Sequence, residues 1–139
     1  MAQTVRDVMT ANPRTVDAND PLIDAAKIMR DEEVGAVLVL QGNRVEGIAT
    51  DRDIVVRAVA DDRDPGETPI GEIISRTLVS LRPEDSIERA VEVMREKAVR
   101  RLPVIDGDRP VGIVSIGDLS LVKDKGSALA DISAAPANN

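Results

Sequence analysis

Gly47-Ile48-Ala49-Thr50-Asp51-Arg52-Asp53 returns 65 residues later as Gly112-Ile113-Val114-Ser115-Ile116-Gly117-Asp118. Working outward from this pair, residues 5–55 align on residues 70–120 without a gap. Of those 51 positions, 11 are identical: Asp20, Ala25, Met29, Arg30, Val34, Val39, Gly42, Arg44, Gly47, Ile48 and Asp53. Many of the differences keep the chemistry, as in Val5 to Ile70, Asp7 to Glu72, Thr15 to Ser80, Leu22 to Ile87, Ile28 to Val93 and Thr50 to Ser115. Side-chain size and hydroxyl positions persist while surface letters drift, which is the mark of a duplication. The division that follows is a first repeat over residues 1–60, a linker over 61–69, a second repeat over 70–123 and a disordered tail over 124–139.

Each copy carries the same plan. Val5–Met9 reads as a helical turn that ends before Asn12 and Pro13, and a short strand is expected from Arg14 to Val16. Asp20 is expected to cap a helix with Pro21 in its first position, and Leu22, Ala25, Ala26 and Met29 follow the spacing of one buried face. The apolar run Ala36-Val-Leu-Val-Leu40 is too short for most helices and predicts a strand buried on both faces. A turn at Gly42 and Asn43 returns the chain as Val45–Thr50, and a helix opens around Asp51. Pro65, Gly66 and Pro69 interrupt any regular element before the plan repeats. The second copy is expected to have a turn at Ile70–Ile74, a strand near Leu78–Leu81, and a helix with Asp85 and Glu88 in capping-box spacing that buries Ile87, Ala90, Val91 and Met94. A hairpin around Asp106–Arg109 and a last helix from about Gly117 complete it.

Units of about 50 residues are marginal alone, so the two copies are expected to pack together. No Cys, no run of about 18 apolar residues and no charged-then-apolar leader is read, so the expectation is a soluble cytoplasmic protein without disulfides or a membrane span. With 18 basic against 25 acidic residues the net charge is -7, which opposes broad adhesion to nucleic acid or an anionic membrane. The chain also lacks His, Trp, Tyr and Phe. That removes an imidazole base, a thiolate, a soft metal site and an aromatic shelf, so no metal is required. Hydroxyls, carboxylates, guanidinium groups and backbone remain, a set that suits binding better than turnover.

The order of elements, with Gly-hydrophobic-x-Thr/Ser-x-x-Asp closing the last strand of each copy, resembles the CBS domain, and two in tandem resemble a Bateman module. Val99-Arg-Arg-Leu-Pro-Val-Ile-Asp106 followed by Val111-Gly-Ile-Val-Ser-Ile-Gly-Asp-Leu119 strengthens the likeness. It covers residues 5–122. The resemblance implies an α/β (α+β) fold of two repeats related by a pseudo-two-fold axis, each a small sheet with flanking helices. It also implies a cleft between the repeats with two sites for an adenosine nucleotide, AMP, ADP or ATP, or in some members S-adenosylmethionine or a dinucleotide. The matching positions suit that ligand. Asp53 and Asp118 can accept from a ribose diol, and Thr50 and Ser115 can donate to ribose or phosphate, helped by amides at the following helix start. Arg100 and Arg101 stand where the family commonly sends basic side chains toward phosphate, and one of two neighbouring strand residues must face away. The first copy has Gly35 and Ala36 there, so the two sites are expected to differ in phosphate affinity, with Arg52 able to compensate where Gly117 cannot. Val16, Val37, Leu81 and Pro103 are expected to wall the adenine, with Thr15 and Ser80 at the rim, although the four apolar residues read equally well as core.

Three function classes compete. A regulatory, signal-transducing module that binds nucleotide for an unidentified partner leads. A ligand-independent stress or interaction module with a vestigial cleft is the alternative, weighted by Gly35, Ala36 and Leu38 where the second copy has Arg100, Arg101 and Pro103. No nucleophile with a base at motif spacing and no Gly-x-x-x-x-Gly-Lys loop supports an enzyme. A homodimer is expected, because Ile54, Val55, Val56 and Val59, with Leu119, Leu121 and Val122, make the last helix of each repeat apolar beyond what one core face needs.

Overall fold

A computed structural model describes residues 3–76 and 79–123. Helices α1 (Val5–Val8), α2 (Leu22–Glu32), α3 (Asp51–Ile54), α4 (Ile87–Lys97) and α5 (Ile116–Lys123) alternate with strands β1 (Thr10–Ala11), β2 (Thr15–Asp17), β3 (Ala36–Gln41), β4 (Arg44–Thr50), β5 (Ser75–Arg76), β6 (Arg101–Asp106) and β7 (Arg109–Ser115). A π-helical turn, Val55–Val59, continues α3, and a 3-10 turn spans Ile70–Glu72.

Two compact units form, and they do not coincide with the sequence copies. Among the described residues, one comprises 14–76 and the other 3–13 with 79–123. They are called here the Asp53 unit and the Asp118 unit. The leading turn of each copy is built into the unit formed by the body of the other. In the Asp118 unit the N–H groups of Val5 and Arg6 donate to the carbonyls of Asp85 and Pro83 at 2.8 and 2.9 Å. In the Asp53 unit the aligned residues repeat the contact, Ile70 to Asp20 at 2.8 Å and Gly71 to Ala18 at 2.9 Å. Val5 and Ile70 are both fully buried, so each exchanged turn anchors a core.

The Asp53 unit holds a four-stranded sheet in the order β2-β3-β4-β5, with β2 parallel to β3 and the other pairs antiparallel. Its core gathers Val16, Leu22, Ala25, Met29, Val37, Val39, Ala49, Ile70 and Ile73. The Asp118 unit holds an antiparallel sheet in the order β1-β7-β6, extended by a single parallel bridge from Leu81 to Val104. Val5, Leu81, Ile87, Ala90, Val93, Met94, Leu102, Val104, Val114 and Leu119 fill its core. The strand expected near Leu78–Leu81 is reduced to that bridge, with Leu78 and the tail over 124–139 outside the described residues.

Both hairpins turn on two residues, with Gly42 and Gly107 at φ of 63° and 64° and no positive φ at the residue that follows, as a type II′ turn requires. Each long helix ends in a left-handed residue, Glu33 or Ala98, and the next N–H, of Val34 or Val99, reaches back to the carbonyl of Met29 or Met94. This Schellman closure is the same in the two copies. The expected caps require correction. Pro21 occupies the N-cap of α2, while the carboxylate of Asp20 accepts from the N–H of Asp17 at 3.0 Å. Asp85 does the same for Arg82 at 2.8 Å, and Ser86 caps α4 by accepting from Arg89. Both aspartates close the preceding turn because their side chains are one residue too early to reach the helix amides. Of the expected helix faces, Ala26 and Val91 are only half-buried, and Val93 takes the fourth core position of α4.

Candidate functional site

Strand alternation sorts the candidate residues. Val16, Val37, Val39 and Ala49 point into the core of the Asp53 unit. Their neighbours therefore point to the opposite face of the sheet, where the register sets Thr15 beside Leu38, Leu38 beside Ile48, and Ala36 beside Thr50. In the Asp118 unit Leu102, Val104 and Val114 point inward, and the opposite face carries Arg101 beside Ser115 and Pro103 beside Ile113. The non-core faces of the two sheets thus present equivalent rows.

At the end of each row the chain turns into a helix through a reciprocal pair. Thr50 Oγ1 accepts from the N–H of Asp53 at 3.1 Å, and Asp53 Oδ2 accepts from the N–H of Thr50 at 3.0 Å. Ser115 and Asp118 repeat this at 3.2 and 2.8 Å. The shared Thr/Ser-x-x-Asp offset is a capping box, so capping by itself accounts for a hydroxyl at the same place in both copies. Capping still leaves chemistry unspent. Each hydroxyl keeps its proton to donate, and each carboxylate keeps a second oxygen with free lone pairs. Asp53 Oδ1 lies 3.8 Å from Arg57 Nε, whereas no ion pair among the described residues involves Asp118.

The amides expected to meet phosphate are largely taken. In the Asp53 unit the N–H of Asp51 donates to Gly35 O at 3.1 Å, that of Arg52 to Asp51 Oδ1 at 2.8 Å, and that of Asp53 to the box. The second copy has Ile116 in place of Asp51, so no equivalent carboxylate folds onto Gly117. Arg52 is exposed, and its side chain makes no hydrogen bond or ion pair among the described residues. Of the two strand arginines, Arg100 is exposed in the bend before β6 and contributes its carbonyl to the N–H of Ile116, at 2.9 Å. Arg101 is half-buried and stands opposite Ser115.

The adenine wall changes most. Val16, Val37 and Leu81 are core residues, with their side chains turned away from the row, while Thr15 and Ser80 are exposed and Pro103 lies on the non-core face. The counterpart of Pro103 is Leu38, which the 65-residue offset identifies directly and the choice of Val37 overlooked. Leu38 and Ile48 are buried yet belong to neither core cluster, which marks the sheet's second apolar face.

The signature glycine of the second copy has a structural reason. A Cβ on Gly112 would run into Met9 Sδ and meet the Thr10 carbonyl at 3.0 Å, where β1 lies against β7. Gly47 is paired with Arg76 of β5 in the same way.

A CBS domain family model matches residues 5–59 and again 70–123. The chain is 41% identical over 134 residues to the CBS domain-containing protein YhcV of Bacillus subtilis, covering 94% of this chain and 95% of the relative. It is 36% identical to Hypoxic response protein 1 of Mycobacterium tuberculosis over 118 residues, 84% of this chain and 82% of that one. The crystal structure of that protein with two coordinated zinc ions superposes with a TM-score of 0.72, covering 85% of this chain and 97% of the other. The donors present here do not fit such a zinc: the chain has neither His nor Cys, and no three acidic side chains gather at ligand distance among the described residues. The CBS domain pair of protein MJ0100, in complex with 5′-methylthioadenosine and S-adenosyl-L-methionine, superposes with a TM-score of 0.75 at 25% identity, covering 88% of this chain and 96% of that one. The repeated elements, the paired capping boxes and the two family matches together show that the chain belongs to the CBS domain family and carries two such domains.

Proposed function

We propose that this chain is a non-catalytic regulatory module that binds an adenosyl ligand, with an adenosine nucleotide favoured at the Asp118 unit. The observation that carries the reading is the matched row on the non-core face of each sheet: apolar side chains, then a hydroxyl, then a carboxylate with one oxygen outside its capping box. Adenosyl ligands in the MJ0100 pair support the ligand class. Asp53 and Asp118 hold ribose hydroxyls, Thr50 and Ser115 donate, Leu38 and Pro103 flank the base, and Arg101 faces phosphate. The ligand acts on a regulated partner only through its differential affinity for two states of the module.

Asparagine substitution separates capping from binding. Asp118→Asn keeps a carbonyl oxygen for the Ser115 N–H but removes the charge and one acceptor. A lost hydrogen bond to a charged group is worth about 1.5–3 kcal/mol, so calorimetry with AMP should show roughly 10- to 150-fold weaker binding at that site, with the urea midpoint nearly unchanged. Unchanged affinity would reduce the carboxylates to caps. No heat from wild-type protein with AMP, ADP, ATP or S-adenosylmethionine at millimolar concentration would favour the ligand-independent interaction module.

The module is proposed to act as a homodimer. Val55, Val56 and Val59 are 58%, 47% and 59% exposed on the π-helical turn, and Ile116 is 46% exposed on α5. Leu119, expected on this surface, is instead a core residue, and the side chains of Leu121 and Val122 lie outside the described residues. Light scattering should give a dimer mass for the wild type and a monomer mass for Val56→Glu; a monomeric wild type at micromolar concentration would exclude the assembly.

A further inference from the structure

The two carboxylates differ in one neighbour. Arg57 follows Asp53 by four residues, the orientation in which an acid N-terminal to a base pairs best on a helix. Its Nε lies 3.8 Å from Asp53 Oδ1, the oxygen that the capping box leaves free. Its Nη1 reaches the Ile73 carbonyl at 3.5 Å, so the guanidinium is steadied over the carboxylate by a second element of the same unit. The aligned position in the second copy is Val122, which brings no charge.

Resting on the reading that Asp53 receives ribose hydroxyls, we propose that Arg57 competes with the sugar for Asp53 Oδ1 and thereby weakens the nucleoside affinity of the Asp53 unit. A ribose hydroxyl must approach the one carboxylate oxygen that Arg57 faces, and the attraction lost as it does so is subtracted from binding. The arginine side chain is 49% exposed and the aspartate 15%, so the competition is that of a partly screened surface pair. It makes the duplicated sites unequal toward a ligand with no charge at all, which separates it from any effect of Arg101 on phosphate.

Adenosine, which is uncharged, is the probe, and Asp118→Asn in the background weakens the other site by roughly 10- to 150-fold, so that the Asp53 unit binds first. In that background Arg57→Val, the residue of the second copy, should tighten adenosine binding about two- to five-fold, the range expected for removing such a pair. Arg57→Lys, which keeps the charge, should retain most of the weaker affinity. Raising salt from 0.05 to 0.5 M, arbitrary test concentrations chosen to shorten the screening length from roughly 14 to 4 Å, should tighten adenosine binding with Arg57 present and leave Arg57→Val flat. A purely structural role for Arg57 would not produce that salt dependence. Unchanged or weaker binding by Arg57→Val, while a further Asp53→Asn still weakens it roughly tenfold or more, overturns the competition and leaves the ribose reading standing. No adenosine binding by the Asp118→Asn protein overturns both.

Discussion

The Asp53 and Asp118 units share a backbone and differ in charge. Their capping boxes close at 3.0 and 3.1 Å in one and 2.8 and 3.2 Å in the other, and their helix-ending residues hold φ of 55° and 54°. Around these fixed points, Ala36 faces Arg101, Asp51 faces Ile116, Arg52 faces Gly117 and Arg57 faces Val122 in the alignment. The residues that close the boxes are kept in kind, Thr50 with Ser115 and Asp53 with Asp118, while the charges around them are not. A repeated motif is therefore evidence first for a repeated backbone problem, and it is the unrepeated residues that distinguish the two candidate sites.

The largest test of the shared frame is Gly112→Ala. The added Cβ meets backbone at Thr10 as well as the Met9 side chain, so β1 must shift, and overpacking of this kind costs about 1–3 kcal/mol. Urea unfolding should show that loss; an unchanged midpoint would mean that the exchanged leading segment is not held where β1 pairs with β7.

The charge difference is tested by exchanging it. Arg101→Ala should weaken AMP at the Asp118 unit by roughly tenfold while changing adenosine little, and Ala36→Arg, opposite Thr50, should favour AMP over adenosine at the Asp53 unit. Equal losses for AMP and adenosine would assign Arg101 to packing. Smaller again is the cap itself. Thr50→Ala and Ser115→Ala should each destabilise by about 1 kcal/mol in thermal or urea melts. A loss in one copy alone would break the equivalence of the boxes.

The smallest effect concerns the left-handed residues. Ala98→Gly relieves a conformation that costs an L-residue about 1–2 kcal/mol, less the greater chain entropy glycine loses, so a gain of roughly 0.5–1 kcal/mol is expected. Glu33→Gly should match it. A gain in only one copy would show that the two helix ends are held differently.

Much of this fold was legible because it is local. The 3.6-residue spacing of Leu22, Ala25 and Met29, the apolar run at Ala36–Leu40 and the glycine turns each follow from a few neighbouring residues and carry their own physical signal. The candidate site was legible in its composition and less so in its geometry. Thr50, Asp53, Arg101, Pro103 and Ser115 lie on or at the end of the non-core row, but Val16, Val37 and Leu81 are core, since an apolar strand residue looks the same from either face. The caps were misread because Asp is favoured both before a helix and in the turn leading to it. Strands β1 and β5, two residues each, have too little periodicity to read.

What the sequence by itself determined is the duplication, the family, the helix and hairpin framework, and the chemical inventory that leaves hydroxyls, carboxylates and guanidinium groups in a chain without His or Cys. Only the tertiary structure decided that the leading turn of each copy completes the unit formed by the body of the other, because the two copies offer Val5 and Ile70 chemically equivalent sockets and a one-dimensional repeat cannot say which is filled. It also decided that Arg57 sits beside Asp53 and that Arg101 stands opposite Ser115, since a π-helical turn and a strand register are set by contacts with other segments rather than by the residues themselves.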